Sequence, residues 1–314
     1  MMRQMPALHA TALLVVCSLS AQAQGVTQRE VHFYSEGVVC VGKLFLPDGY
    51  SEASKLPAVV LAPGSGKTGA FAEPYAEDLA MHGIVAMTFD YRGWGKSGGF
   101  LYFGEPVQWD DRLRFSETTT VMRVRRKRLE PMLQVTDIRN ALTYIEGEPG
   151  VDRARLGVWG TDLSGGHAVV VAGMDARVKA IVSELPMLAG RGAVHGAFAP
   201  DPKQQAEMIK LARSGSVPSS ARDAASRNTE ESKLALAEYH PYWSLEQIAP
   251  TTAVRFIVAG ADSDHSVEDD AVAASKMLKG PVDVARLPEA KHSMDQKVIA
   301  SAVRAATEWF EKNL

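Results

Sequence analysis

The chain has 314 residues, 46% of them hydrophobic and 23% charged, with a formal net charge of −3. That balance supplies a sizeable apolar core and no broad cationic surface, so a soluble globular chain is expected and nucleic acid is not an expected partner.

Residues 1–23 read as an export signal. Arg3 precedes the apolar run Ala12-Leu13-Leu14-Val15-Val16, and Ala21-Gln22-Ala23 has the A-x-A form of a signal-peptidase site. Cleavage after Ala23 is expected, placing residues 24–314 in the periplasm or outside the cell. The mature chain would keep Cys40 alone, which excludes an internal disulfide. No later run of about 18 apolar residues occurs, so no membrane span is expected in the mature chain.

Thr27–Tyr34 and Val38–Leu46 are strand-like runs around Ser35-Glu36-Gly37, the pattern of a hairpin. Pro57–Ala62 is a buried-strand pattern that opens into Pro63-Gly64-Ser65-Gly66-Lys67-Thr68-Gly69. The end of this loop imitates a phosphate loop, but G-x-x-x-x-G-K-[ST] requires glycine where Leu61 stands. A helix is expected over Phe71–Met81, then a strand over Ile84–Phe89 ending in Asp90-Tyr91-Arg92-Gly93-Trp94-Gly95-Lys96-Ser97. Residues 98–131 form an insertion, and its basic cluster, Arg123 to Arg128, is expected to be a solvated helix face. A helix from about Met132 carries Val135, Ile138, Leu142 and Ile145 on one face.

The apolar run Leu156–Gly160 leads into Thr161-Asp162-Leu163-Ser164-Gly165-Gly166, and an Ala/Val/Gly-rich helix begins at about Ser164. Val178–Val182 is a further strand. Residues 186–250 show little strand character and are expected to form a cap. Strand patterns at Val254–Ala259 and Val282–Leu287 alternate with helices over 267–279 and from about Val298. This alternation predicts an α/β fold, a mostly parallel central sheet with helices on both faces.

Gly160-x-Asp162-x-Ser164 has the form of the G-x-S-x-G nucleophile elbow, with aspartate in the place of serine. Together with the Asp90–Ser97 turn, Asp262 after one late strand and His292 after the next, it resembles the α/β-hydrolase superfamily over residues 25–314. The frame is similar to dienelactone hydrolases and X-Pro-peptidase-like esterases, whereas the aspartate nucleophile is of the epoxide-hydrolase type. The resemblance implies a catalytic triad of Asp162 as nucleophile, His292 as base and Asp262 as acid, with Asp264 the alternative acid. It also implies an oxyanion hole from the Leu163 amide and an amide near Ser65. Asp162 could instead be only a helix N-cap in a chain that has lost its chemistry, or Ser164 could be a displaced nucleophile. His167 and His265 read as structural.

A carboxylate that attacks an acyl carbon forms a high-energy mixed anhydride, whereas attack at saturated carbon forms an ordinary ester that a His-activated water can cleave. The expected activity is therefore hydrolysis of an epoxide to a diol, without metal or cofactor, on a small-molecule substrate. Tyr239 and Tyr242 in the cap, with Tyr102 in reserve, are the candidate ring-opening acids. Dehalogenation, an esterase-like reaction and non-catalytic ligand binding are the alternatives. Oligomeric state is not legible in the sequence.

Overall fold

A computed structural model describes residues 25–103, 110, 112, 117–188, 206, 210, 232, 235–236, 238–261, 266–290 and 296–314. The expected leader at 1–23, most of the expected cap, and Asp262, Asp264, His265 and His292 lie outside these residues.

The chain opens with a hairpin, β1 (Thr27–Ser35) and β2 (Val38–Leu46). Its two-residue turn is Glu36-Gly37, with φ of 47° and 80°, the left-handed pair that matches the twist of the flanking strands. There follow β3 (Leu56–Ala62), α1 (Glu73–Met81), β4 (Val85–Phe89), β5 (Phe100–Phe103), β6 (Met122–Arg125) and α2 (Pro131–Glu146). Next come β7 (Val151–Thr161), α3 (Leu163–Met174), β8 (Val178–Glu184), β9 (Ala253–Ala259), α4 (Ser266–Ser275), β10 (Val282–Leu287) and α5 (Gln296–Asn313).

Among the described residues eight strands form one sheet in the order β1-β2-β4-β3-β7-β8-β9-β10. The pairs β1/β2 and β2/β4 are antiparallel; the remaining neighbours are parallel. Alternation along each strand divides the core between the two faces. Ala58, Val60, Leu156, Val158 and Ile181 pack with α2, α3 and α4, on the same side as Val135, Ile138, Val169 and Ala271. Val59, Leu61, Trp159 and Val182 pack on the other side against α1 and α5, through Leu79, Ala302, Trp309 and Phe310. The expected α/β fold with helices on both faces is therefore present.

Two elements differ from their expected form. The basic cluster is not a helix face: Met122–Arg125 is β6, antiparallel to β5, with Leu101 opposite Val124. Arginines alternate there with Met122 and Val124, a period of two, and the β5 partner supplies the ladder. The elbow strand also begins at Val151, well before the apolar run: Val151 pairs with Leu56, and the pairing resumes at Leu156 opposite Ala58 after a register shift.

Candidate active site

The parallel strands deliver their loops to one edge of the sheet, the usual ligand edge of an α/β architecture. β3 ends at Ala62 and opens into the loop that carries Ser65; β7 ends at Thr161 and turns at Asp162 into α3. Asp162 has φ 56° and ψ −125°, a conformation that an L residue adopts only when its surroundings impose it. Those surroundings are backbone. The Asp162 amide donates to the Glu184 carbonyl at 2.9 Å, and its carbonyl accepts from the Gly165 and Met187 amides at 3.0 and 3.1 Å. A Cβ at Gly160 would overlap the Ser164 carbonyl, so glycine is what lets the strand pass beneath the turn.

Gly64 lets the other loop lie against the elbow, less tightly: a Cβ there would lie 3.3 Å from Thr161 and 3.4 Å from the Asp162 Cβ. The result is a contact between two sequence-predicted residues. The Ser65 amide donates to Asp162 Oδ2 at 3.2 Å, and both residues are partly exposed. Leu163 is buried at 2% exposure and opens α3; its amide belongs to the first turn, whose donors the helix cannot satisfy itself. Asp162, Ser65 and Leu163 are thus brought together.

The Asp90–Ser97 turn holds the Ser65 loop from behind. Asp90 Oδ1 accepts from the Gly69 amide at 2.8 Å and Oδ2 from the Lys96 amide at 2.7 Å. Arg92 is buried and grips Asp137 Oδ1 through Nε and Nη2 at 2.9 and 2.7 Å. Burial pushes the Asp137 carboxyl upward, opposed by its bonds to the Arg92 guanidinium.

Three arrangements are not evident from motifs. Ser164 is 1% exposed and its hydroxyl donates to the Pro63 carbonyl at 2.6 Å, with Tyr91 Oη at 2.8 Å. Its proton is directed into the fold, onto the Pro63 carbonyl. Glu184 is fully buried beneath the elbow and accepts from Tyr75 Oη at 3.0 Å and Trp159 Nε1 at 3.2 Å; burial raises its pKa to about 7. His167 is fully buried between Tyr239 Oη at 2.7 Å and Gln134 Oε1 at 3.0 Å, and burial lowers its pKa to about 3. The sequence signals for these were a serine at the elbow's usual glycine and a glutamate ending the apolar strand Ala180-Ile181-Val182-Ser183.

The tyrosines are placed differently from one another. Tyr239 is 7% exposed and its hydroxyl is bound to His167, while Tyr242 is 3% exposed within the 3₁₀ turn Pro241–Gln247 that packs on α3. Tyr102 lies on β5 and its hydroxyl accepts from Arg128 Nη1 at 2.7 Å. The expected acid and base fall outside the described residues, yet the loops that carry them are joined just before that point. Gly260 donates to the Leu287 carbonyl at 2.8 Å and Ala261 to the Ala290 carbonyl at 2.9 Å. Among the described residues no three His, Cys, Asp or Glu side chains cluster to hold a metal, and no helix is long and apolar enough to cross a membrane.

The sheet order, the strained turn after β7 and the loops gathered at one sheet edge define the α/β-hydrolase fold. Known proteins agree at that level. The α/β hydrolase GrgF of a Penicillium species superposes with a TM-score of 0.65 at 18% identity, over 91% of this chain and 99% of that one. A dienelactone hydrolase from Anabaena variabilis gives a TM-score of 0.57 at 16% identity, over 92% and 99%. In sequence, a thiohydrolase, AneE, of Aspergillus aculeatus is 27% identical over 164 residues, 52% of this chain and 42% of that one. The chain spans about half the length of the curated relatives it matches. No family model matches it.

Proposed function

We propose that the protein is a hydrolase whose nucleophile is the Asp162 carboxylate and whose substrate is an activated acyl compound, a thioester before an ester. The observation that carries this reading is the Ser65 amide on Asp162 Oδ2, 3.2 Å away. That amide holds Oδ2, and the attacking oxygen in this reading is Oδ1. When water later attacks Asp162 Cγ, the negative charge develops on the held oxygen, where a donor is already aimed.

The leaving group selects among acyl substrates. A carboxylate that adds to a carbonyl gives a tetrahedral adduct from which the carboxylate itself, the weaker base, returns most readily, so forward expulsion is less uphill the weaker a base the other group is. The carboxylate corresponds to a pKa of about 4 and a thiolate to about 8.5, whereas an alkoxide lies near water's 15.7 or so. Thioesters therefore reach the acyl-enzyme far more readily than alkyl esters, and the likeness to a thiohydrolase supports the same choice.

Asp162 Oδ1 attacks the thioester carbonyl, the C–S bond breaks, and thiolate leaves. His292, oriented by Asp262, takes a proton from water as the water oxygen bonds to Asp162 Cγ. The Cγ–Oδ1 bond then breaks and releases the acid, and the proton passes to the thiolate, for a net conversion of thioester and water to acid and thiol. The backbone bonds that join the β9 and β10 loops at Ala261 and Ala290 support this pairing of His292 with Asp262. Leu163 supplies the second oxyanion amide.

Displacement at saturated carbon, epoxide to diol, is the second reading. The same Ser65 contact favours it, because an alkyl-enzyme ester places its own carbonyl oxygen on that amide. Residues 1–23 are proposed to be removed on export, which N-terminal mass analysis of the secreted protein tests.

A single turnover in ¹⁸O-water, with excess enzyme and parallel panels of acyl thioesters and epoxides, tests the function. Label recovered in the Asp162 peptide with unlabelled product is expected, and the productive panel names the substrate class. No turnover of any panel member, or label entering the product with no adduct on the Asp162 peptide in His292→Ala, overturns the covalent reading.

A further inference from the structure

The Ser65 amide is useful only if the loop that bears it is held in register with Asp162, and the residue two places beyond the nucleophile supplies that hold. Ser164 Oγ lies 2.6 Å from the Pro63 carbonyl oxygen and 2.8 Å from Tyr91 Oη. A carbonyl only accepts, so the single serine proton goes to Pro63, and the Tyr91 hydroxyl must be the donor to Ser164. The relay therefore has one direction, Tyr91 to Ser164 to Pro63, each bond polarising the next. Ser164 and Tyr91 are 1% and 2% exposed, so water does not substitute for either.

Pro63 is two residues before Ser65, and Gly64 between them already lies against Thr161 and Asp162. The proline carries no amide proton of its own, which leaves its carbonyl as the handle by which α3 can hold the loop. From this geometry we propose that Ser164 is a positioning residue. Through its bond to the Pro63 carbonyl it sets the distance between the Ser65 amide and Asp162 Oδ2, and so tunes the oxyanion site. The elbow pattern has glycine at this place, so the device belongs to this chain's own sequence. The inference rests on the proposed role of Asp162 for its catalytic consequence, and on the hydrogen bonds alone for its structural one.

Two readouts separate the two. The first is the Ser65 amide proton shift, followed with ¹⁵N-serine and ¹³C-glycine labelling, which isolates Gly64–Ser65 with only Gly215–Ser216 beside it. Ser164→Ala is expected to move the resonance upfield and to abolish its response to Asp162→Asn. Ser164→Thr, which keeps the hydroxyl, is expected to retain both features, and Ser164→Cys, a weaker donor of similar shape, serves if alanine prevents folding. The second readout is steady-state kinetics. Ser164→Ala is expected to lower kcat by about tenfold to a hundredfold with KM nearly constant, the scale of a misplaced oxyanion donor, and threonine to restore it. An unchanged Ser65 resonance in folded Ser164→Ala or Ser164→Cys overturns the inference whatever the activity. A shifted resonance in a protein whose turnover ignores Asp162 upholds the positioning and sinks the proposed function instead.

Discussion

The imidazole of His167 and the phenol of Tyr239 meet at 2.7 Å, Nδ1 to hydroxyl oxygen, with both side chains buried. Because His167 Nε2 faces the Gln134 carbonyl oxygen at 3.0 Å, that nitrogen carries the proton and Nδ1 accepts from Tyr239. The bond ties the elbow helix to the segment just before the Pro241–Gln247 turn. Tyr239→Phe leaves a buried acceptor unpaired and is expected to lose about 1–3 kcal/mol of stability, measured by urea unfolding. Turnover of an acyl substrate should fall no more than several-fold. Loss of turnover with stability intact would show that this hydroxyl leaves His167 to serve a substrate, as epoxide opening requires.

Glu184 and His167 bias stability in opposite directions as pH changes. Burial raises Glu184 from 4.5 to about 7, so between those values the folded chain binds the extra proton and stability falls as pH rises. Burial lowers His167 from 6.5 to about 3, so the unfolded chain binds the extra proton there and stability rises with pH. Between about pH 4.5 and 6.5 the two slopes oppose each other, and above that Glu184 acts alone. Glu184→Gln is expected to remove the falling component between about pH 4.5 and 7, so that the His167 rise between about pH 3 and 6.5 is no longer offset. The size of the removed component is roughly 3 kcal/mol at about 1.4 kcal/mol per pKa unit. Melting temperatures of both proteins from pH 4 to 8 check this, and parallel curves would refute it.

The strands and helices were legible because their signals are local. Apolar runs such as Pro57–Ala62 and Val178–Val182 are too short for helices and rich in β-branched residues, and Val135, Ile138 and Leu142 fall on one helix face. The elbow was legible for the same reason: a small residue, a functional one and another small residue follow a strand. Arg123–Arg128 was not, because the alternation over Met122–Arg125 is only four residues long and breaks at Arg126-Lys127-Arg128, so the pairing of Leu101 with Val124 is what decides. Tyr239 illustrates a second limit. The sequence puts a tyrosine in the cap region, but His167 lies 72 positions away, and no local rule brings the two together.

Gly160 is the residue that the elbow tolerates least in any other form. Its missing Cβ is the space occupied by the Ser164 carbonyl, which is backbone and cannot rotate away. Gly160→Ala is expected to cost at least about 3 kcal/mol, beyond ordinary overpacking of side chains, and to abolish turnover because Asp162 moves with the turn. By contrast Gly37→Ala, in the β1–β2 turn, meets no atom within 4 Å and bears only the strain of φ 80°, about 1 kcal/mol. A paired unfolding experiment on the two variants distinguishes crowding from conformational strain, and equal losses would mean that the elbow relaxes.

Asp162 combines a strained backbone with a partly exposed carboxylate, and the two can be separated by substitution. Asp162→Asn keeps an acceptor for the Ser65 amide, so its stability should stay within about 1 kcal/mol of the parent while turnover falls at least about a thousandfold, the scale of losing a nucleophile. Asp162→Gly removes the Cβ that makes φ 56°, ψ −125° unfavourable. Relief of strain on the order of 1–3 kcal/mol exceeds the roughly 0.4–1 kcal/mol by which glycine favours the unfolded chain. The glycine variant should therefore be inactive and more stable than the parent. Denaturant midpoints and kcat measured on the same three preparations decide the matter. An inactive but stabilised glycine variant is the signature of a residue kept for chemistry against the interest of the fold; a destabilised one, with asparagine still active, would mean that the Asp162 side chain is kept for the stability of the turn.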